Sequence, residues 1–132
     1  MSRRFEFTGR MKSIGHAIHG ICYVLRSQHN AWIHAAITLL VVTIGFCFEL
    51  SADEWCWIVI AAALVWTAEA LNTAVELLAD AATKDFHPVI GQAKDVAAGA
   101  VLLTAIGASI VGVIIFWPHV HDLFFGAEAF AP

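Results

Sequence analysis

Apolar residues in this chain form one periodic stretch followed by three longer runs. Phe7, Met11, Ile14, Ile18, Ile21 and Leu25 recur at steps of four and three, which lines them along one face of a helix. Arg10, Lys12, His16, His19 and Arg26 fall largely elsewhere around the same helix. A basic amphipathic helix of this kind favours the membrane interface, although the pattern also suits a helix packed against a bundle. Ala31 to Phe48 is 18 residues without formal charge, interrupted only by His34 and two threonines. Val96 to Trp117 is 22 residues with no ionisable group. Each approaches the roughly 20 helical residues that cross a bilayer core. Between them, the 14-residue apolar stretch Trp55–Ala68 is too short to span alone, but the apolar residues among Glu69, Asn72, Thr73, Glu76 and Asp80 sustain a helix to about Ala82.

The pattern therefore predicts an all-α integral membrane fold. Residues 1–30 form an interfacial surface helix, 31–117 a three-helix membrane domain with spans at about 31–50, 54–82 and 92–117, and 118–132 a tail outside the cytoplasm. The first 30 residues lack an uninterrupted apolar run and a small-residue cleavage site, so they read as structure and not as a cleaved signal.

Composition narrows the class further. With 60% hydrophobic and 14% charged residues among 132, and a mean hydropathy of +0.76, the chain departs far from a soluble globule. Disordered and collagen-like chains are excluded by the same figures. Cys22, Cys47 and Cys56 have no close spacing that would suggest a metal or disulfide framework. A net charge of −4 does not suit a nucleic-acid binder. Its distribution is more telling: five basic residues and one acid precede Asn30, whereas two basic residues and ten acids follow it. Basic segments stay on the cytoplasmic side, so the N-terminus and the Ala82–Gln92 loop are expected there, with the Glu49–Glu54 turn and the tail outside.

The acids of the second span carry the chemistry. At about 100° per residue, Glu69, Asn72, Thr73, Glu76 and Asp80 share roughly 100° of one helix face. An acid at the bilayer centre is unfavourable by on the order of 2.5–3.5 kcal/mol, so such a stripe calls for a partner charge, a metal or water. Three readings fit: acids that snorkel or stay protonated, an ion- or proton-conducting site, and a Mg²⁺ site in which carboxylates and an amide supply hard oxygen ligands. Lys94, at the expected cytoplasmic start of the third span, sits where exposed helix N–H groups favour phosphate oxygens. It is equally able to pair with Asp95 or Glu76. No Gly-rich nucleotide loop of the usual kinds occurs, so any nucleotide site must be built from the membrane helices and their ends.

The run Glu69-Ala-Leu-Asn72-Thr73-Ala-Val-Glu76-Leu-Leu-Ala-Asp80, followed by Ala93-Lys94-Asp95-Val-Ala-Ala-Gly-Ala-Val, closely resembles the signature of the prokaryotic diacylglycerol kinase/undecaprenol kinase family. The resemblance extends from about Arg10 to Trp117 and includes Asp85-Phe86-His87-Pro88. It implies a small lipid kinase of the bacterial cytoplasmic (inner) membrane. Members work as homotrimers with sites formed between neighbouring subunits, and transfer the γ-phosphoryl group of MgATP to the hydroxyl of a membrane lipid. By this resemblance Glu69 is the general base and Glu76 a Mg²⁺ ligand. Asn72, Lys94 and Asp95 position phosphates and metal. Asp80, Asp85, Phe86 and His87 lie near the nucleotide, with Arg10 and His16 as further nucleotide contacts.

One departure stands out. The family commonly places a second metal-binding glutamate just before the first span, and this chain has Gln28 there. A glutamine carbonyl still coordinates Mg²⁺ but brings no negative charge, so metal stoichiometry or affinity is in question; Gln28 as a mere helix-junction residue is the plainer alternative. The run Asn30-Ala-Trp-Ile33-His34 is more similar to the undecaprenol kinase branch than to the diacylglycerol kinase branch. Three other readings remain open at this level: an oligomeric ion-coupled transporter using Glu69 and Glu76, a degenerate non-catalytic family member, and a polar stripe that merely holds helices together.

Overall fold

A computed structural model of the chain describes residues 7–126, with side chains described from Arg10 onward. All regular elements among these residues are helices: α1 (Phe7–Ser27), α2 (His29–Cys47), α3 (Ala52–Ala82) and α4 (Pro88–Phe125). The last three are long and apolar enough to cross a membrane. The fold class expected from the hydropathy pattern is the one observed.

Local chemistry sets the boundaries. Gln28 is extended (φ −106°, ψ 123°), which separates α1 from α2 by a single residue and turns the surface helix onto the first span. The tight α2–α3 connection is anchored by a capping box. Glu54 Oε2 accepts from the Ser51 N–H at 2.8 Å, and Ser51 Oγ accepts from the Glu54 N–H at 3.4 Å, so two otherwise unpaired N–H groups are satisfied. Gly45 is needed beside this turn, because a Cβ there would come within 2.9 Å of the Trp55 ring and 3.1 Å of Leu50. Pro88 starts α4 at a position where no N–H partner is required.

α4 is longer at both ends than the expected span of 92–117. It begins at Pro88, which shortens the expected Ala82–Gln92 loop to residues 83–87, and it passes through Pro118 to Phe125. Proline lacks an N–H and removes one helical hydrogen bond, but apolar spanning helices tolerate that loss when neighbours support the turn. Here His119, one residue on, meets Glu54 of α3 at 2.7 Å and lies 5.6 Å from the Phe48 ring, nearly parallel to it. The first part of the expected tail is therefore helix, and residues 127–132 lie outside the described residues.

The helices pack loosely for a soluble protein. α3 runs along α4, and a small apolar cluster of Leu50, Ile58 and Ile115, flanked by Trp55, Phe48 and Phe116, closes the end opposite Gln28. Leu39, Leu64, Leu78, Leu103 and Ile114 face outward, as hydrocarbon surroundings permit. On α1, Met11, Ile14, Ile18 and Ile21 are exposed, so its apolar face is free to enter a membrane interface, while Val24 is buried. The side chain of Phe7, expected on the same face, lies outside the described residues. The buried residues of α3 include three polar ones, Glu69, Asn72 and Thr73. An ordinary core would place Leu or Val there.

Candidate active site

Regular helix geometry turns the polar stripe of α3 toward α2 and α4. Glu69, Asn72 and Glu76 line a cavity of about 310 Å³ together with Asn30, Ile33 and His34 of α2 and Ala98, Val101, Leu102 and Ala105 of α4. The small alanines of α4 leave the space, and the acids of α3 give it one polar wall. Asn30 and His34 add polar groups from α2, and Ile33, Val101 and Leu102 are apolar.

Glu69 is 1% exposed, and neither of its carboxylate oxygens has a hydrogen-bond partner. The Oδ1 atom of Asn72 is likewise buried without a donor. Buried polar atoms are nearly always paired, since an unpaired one forfeits its hydration without return. Three acceptor oxygens at one cavity are thus left without donors within the chain and can accept from an incoming group. The backbone at this level is secure, since Thr73 Oγ1 donates to the Glu69 carbonyl at 2.9 Å.

One turn further along, Glu76 is held from two sides. Asn72 Nδ2 donates to its Oε1 at 3.1 Å, and Gln28 Nε2 donates to its Oε2 at 3.1 Å. Gln28 and Glu76, the two residues expected to hold metal, are thus in direct contact across 48 positions of sequence. Among the described residues no three His, Cys, Asp or Glu side chains gather into a complete metal cage. The donors present are instead one carboxylate and two amides whose oxygens become available on rotation. This fits Mg²⁺, which takes one or two carboxylates and completes its shell with water and substrate phosphates.

Towards the same end of the bundle, Lys94 Nζ donates to Asp80 Oδ1 at 3.2 Å, linking α4 to α3. The partner is neither Asp95 nor Glu76, because Lys94 lies more than a turn inside α4, level with the last turns of α3. Asp95 is exposed on α4. Asp85, Phe86 and His87 are exposed on the connecting segment 83–87, and Phe86 is 90% exposed. Arg10 and His16 are exposed on α1. None of these last six lines the cavity within a single chain. The residues brought together are Gln28, Glu69, Asn72 and Glu76, with Asp80 and Lys94 as a pair beyond them.

Among the cavity residues not singled out from the sequence for the site is His34, the one that approaches an acid. His34 Nε2 lies 3.8 Å from Glu69 Oε2, an ion-pair separation longer than a hydrogen bond. The signal was present as an imidazole interrupting an otherwise uncharged span.

Comparison with known proteins identifies the family. A model of the family described as prokaryotic diacylglycerol kinase matches residues 15–116. An undecaprenol kinase of Bacillus subtilis (strain 168) is 40% identical over 115 residues, covering 87% of this chain and 94% of that protein. A diacylglycerol kinase of Synechocystis is 36% identical over 112 residues, covering 84% of this chain and 64% of that one. A diacylglycerol kinase of Escherichia coli (strain K12) is 30% identical over 120 residues, covering 86% and 93%. A buried acid wall at the end of three apolar helices, in a chain so similar to enzymes that phosphorylate lipids, has one consistent reading: the chain belongs to the prokaryotic diacylglycerol kinase family and is a membrane lipid kinase with ATP as co-substrate.

Proposed function

We propose that this kinase transfers the γ-phosphoryl group of MgATP to the hydroxyl of a polyprenol, undecaprenol in preference to diacylglycerol, at the cytoplasmic face of the bacterial inner membrane. The observation that carries the reading is Glu69: a buried carboxylate with two acceptor oxygens and no donor, on the wall of a cavity between membrane helices. An acceptor hydroxyl is a donor of the right kind. Glu69 accepts its proton as the oxygen attacks the γ-phosphorus and the bond to the bridging oxygen of ADP breaks.

Glu76, with the oxygens of Asn72 and Gln28, would hold Mg²⁺, which supplies neutralisation of phosphate charge when bound. Lys94 carries a positive charge to the phosphates and is kept in place by Asp80. Asp95, Asp85, Phe86, His87, Arg10 and His16 complete the nucleotide surroundings in a homotrimer, where a neighbouring copy brings them to the cavity. Their exposure in the single chain supports that assignment. The N-terminus is cytoplasmic, as its basic residues favour. Preference for undecaprenol is supported by the greater similarity to a protein named undecaprenol kinase. The ion-coupled transporter and non-catalytic readings have no comparable support.

The test is transfer of labelled γ-phosphate from ATP into extracted lipid by purified protein in mixed micelles, with undecaprenol and diacylglycerol in parallel, with and without Mg²⁺. Mg²⁺-dependent product with undecaprenol as the faster acceptor is expected. Faster phosphorylation of diacylglycerol refutes the substrate assignment, and product independent of Mg²⁺ refutes the metal.

A further inference from the structure

His34 is the one side chain in the apolar run 31–48 able to take a positive charge, and an imidazole inside a span calls for a polar partner. Its partner is Glu69, whose Oε2 lies 3.8 Å from His34 Nε2, with the two side chains 14% and 1% exposed. No other charged group is paired with Glu69 among the described residues, and its oxygens accept no hydrogen bond.

The imidazole is itself held. Trp66 stands edge-on to it, with ring centroids 6.4 Å apart and planes at 65°. Trp66 Nε1 donates to Thr38 Oγ1 at 3.2 Å, and Thr38 Oγ1 donates to the His34 carbonyl at 2.7 Å. Trp66 bounds the ring on one side, and the Thr38 bond holds the helical turn that carries it. His34 also borders two cavities, the acid-walled one and an apolar one of about 490 Å³ that continues between α2, α3 and α4. It therefore stands where the polar wall ends and the hydrocarbon lining begins.

We infer that His34 is a positioning residue for the Glu69 carboxylate: a small rotation brings its Nε2–H onto one oxygen and leaves the other facing the acceptor hydroxyl. A base oriented by a third group is a recurrent arrangement in group-transfer sites. This inference rests on Glu69 being the base.

The test uses the full chain in mixed micelles, measuring kcat and KM for MgATP with undecaprenol for Glu69→Gln, His34→Ala and His34→Gln, with thermal unfolding of each. The Gln amide nitrogen reaches nearly as far as Nε2. The expected result is loss of activity in Glu69→Gln, a fall in kcat of about tenfold or more in His34→Ala at unchanged KM, the scale of losing a group that orients a reacting one, and recovery of most of it in His34→Gln. Should His34→Ala fail to fold, His34→Asn, whose amide stops short of Glu69, replaces it under the same criteria. Normal kcat in the loss variant, a loss carried by KM, or equal loss in His34→Gln overturns the inference. If Glu69→Gln stays active, the assignment of the base falls and this inference with it. If Glu69→Gln is inactive while His34→Ala is normal, only the role of His34 falls.

Discussion

Gln28 donates from Nε2 to Glu76 Oε2 at 3.1 Å, so the residue just before the first span touches the carboxylate expected to hold metal. A glutamate at position 28 would stand against Glu76 with like charge and bind a divalent cation more strongly, as affinity for hard cations rises with ligand charge. Gln28→Glu is expected to lower the Mg²⁺ concentration for half-maximal activity by about tenfold, and to lose stability when Mg²⁺ is removed. Mg²⁺ titrations of turnover and thermal unfolding with and without chelator check both effects. An unchanged Mg²⁺ requirement would remove position 28 from the metal site.

Burial of Glu69 without donors separates its catalytic value from its structural value. Glu69→Gln keeps the shape and removes the base, so turnover is expected to fall by at least about 100-fold, the scale of losing general-base catalysis. Because the carboxylate makes no hydrogen bond, the thermal midpoint should hold or rise. Turnover and unfolding measured on one preparation decide the matter, and near-normal turnover would reassign the base.

Lys94 and Asp80 form an exposed pair, 40% and 72% accessible. Such pairs contribute about 0–1 kcal/mol to stability. Lys94→Ala is therefore expected to leave unfolding nearly unchanged while raising KM for ATP and lowering kcat. Asp80→Asn should act in the same direction more weakly, since it frees the ammonium without removing it. A purely structural role would show the reverse, with unfolding altered and kinetics intact.

The features legible from sequence were those governed by local periodicity. The face carrying Met11, Ile14 and Ile18 and the three apolar spans follow from helical spacing. So does the clustering of Glu69, Asn72 and Glu76 on one side of α3, because residues three and four apart share a face whatever surrounds them. Contacts between helices were less legible. Nothing in the spacing says that Lys94 meets Asp80, that Gln28 reaches Glu76, or that His34 faces Glu69, since these depend on how α1, α2 and α4 rotate against α3. The extent of α4 differs for another reason: the apolar run ends at Trp117, yet His119, Phe48 and Glu54 support the helix beyond Pro118.

Gly45 is the glycine, among the described residues, at which an added Cβ would be crowded. A methyl group there would stand 2.9 Å from the far edge of the Trp55 indole and 3.1 Å from Leu50, so the ring must shift. Gly45→Ala is expected to destabilise the protein by about 1–3 kcal/mol, the range for overpacking a filled core. Chemical unfolding in micelles measures it, and a neutral outcome would show that the indole moves freely.

His119 and Glu54 meet at 2.7 Å at the end of the bundle remote from Glu69, each 28% exposed. Phe48 covers the imidazole from one side, with its ring centroid 5.6 Å away. Glu54 also belongs to the capping box with Ser51, so it ties the α4 extension directly to the start of α3. His119→Ala removes this tie while leaving the capping box whole. The expected loss is about 1–2 kcal/mol of stability, as for a hydrogen bond involving a charged group at a partly covered site. Turnover should be unaffected, because neither His119 nor Glu54 lines the acid-walled cavity. Pairing unfolding with the phosphate-transfer assay separates the two. A fall in kcat at temperatures where the variant remains folded would mean that the far end of α4 is coupled to the site, and would overturn the view that His119 serves stability alone.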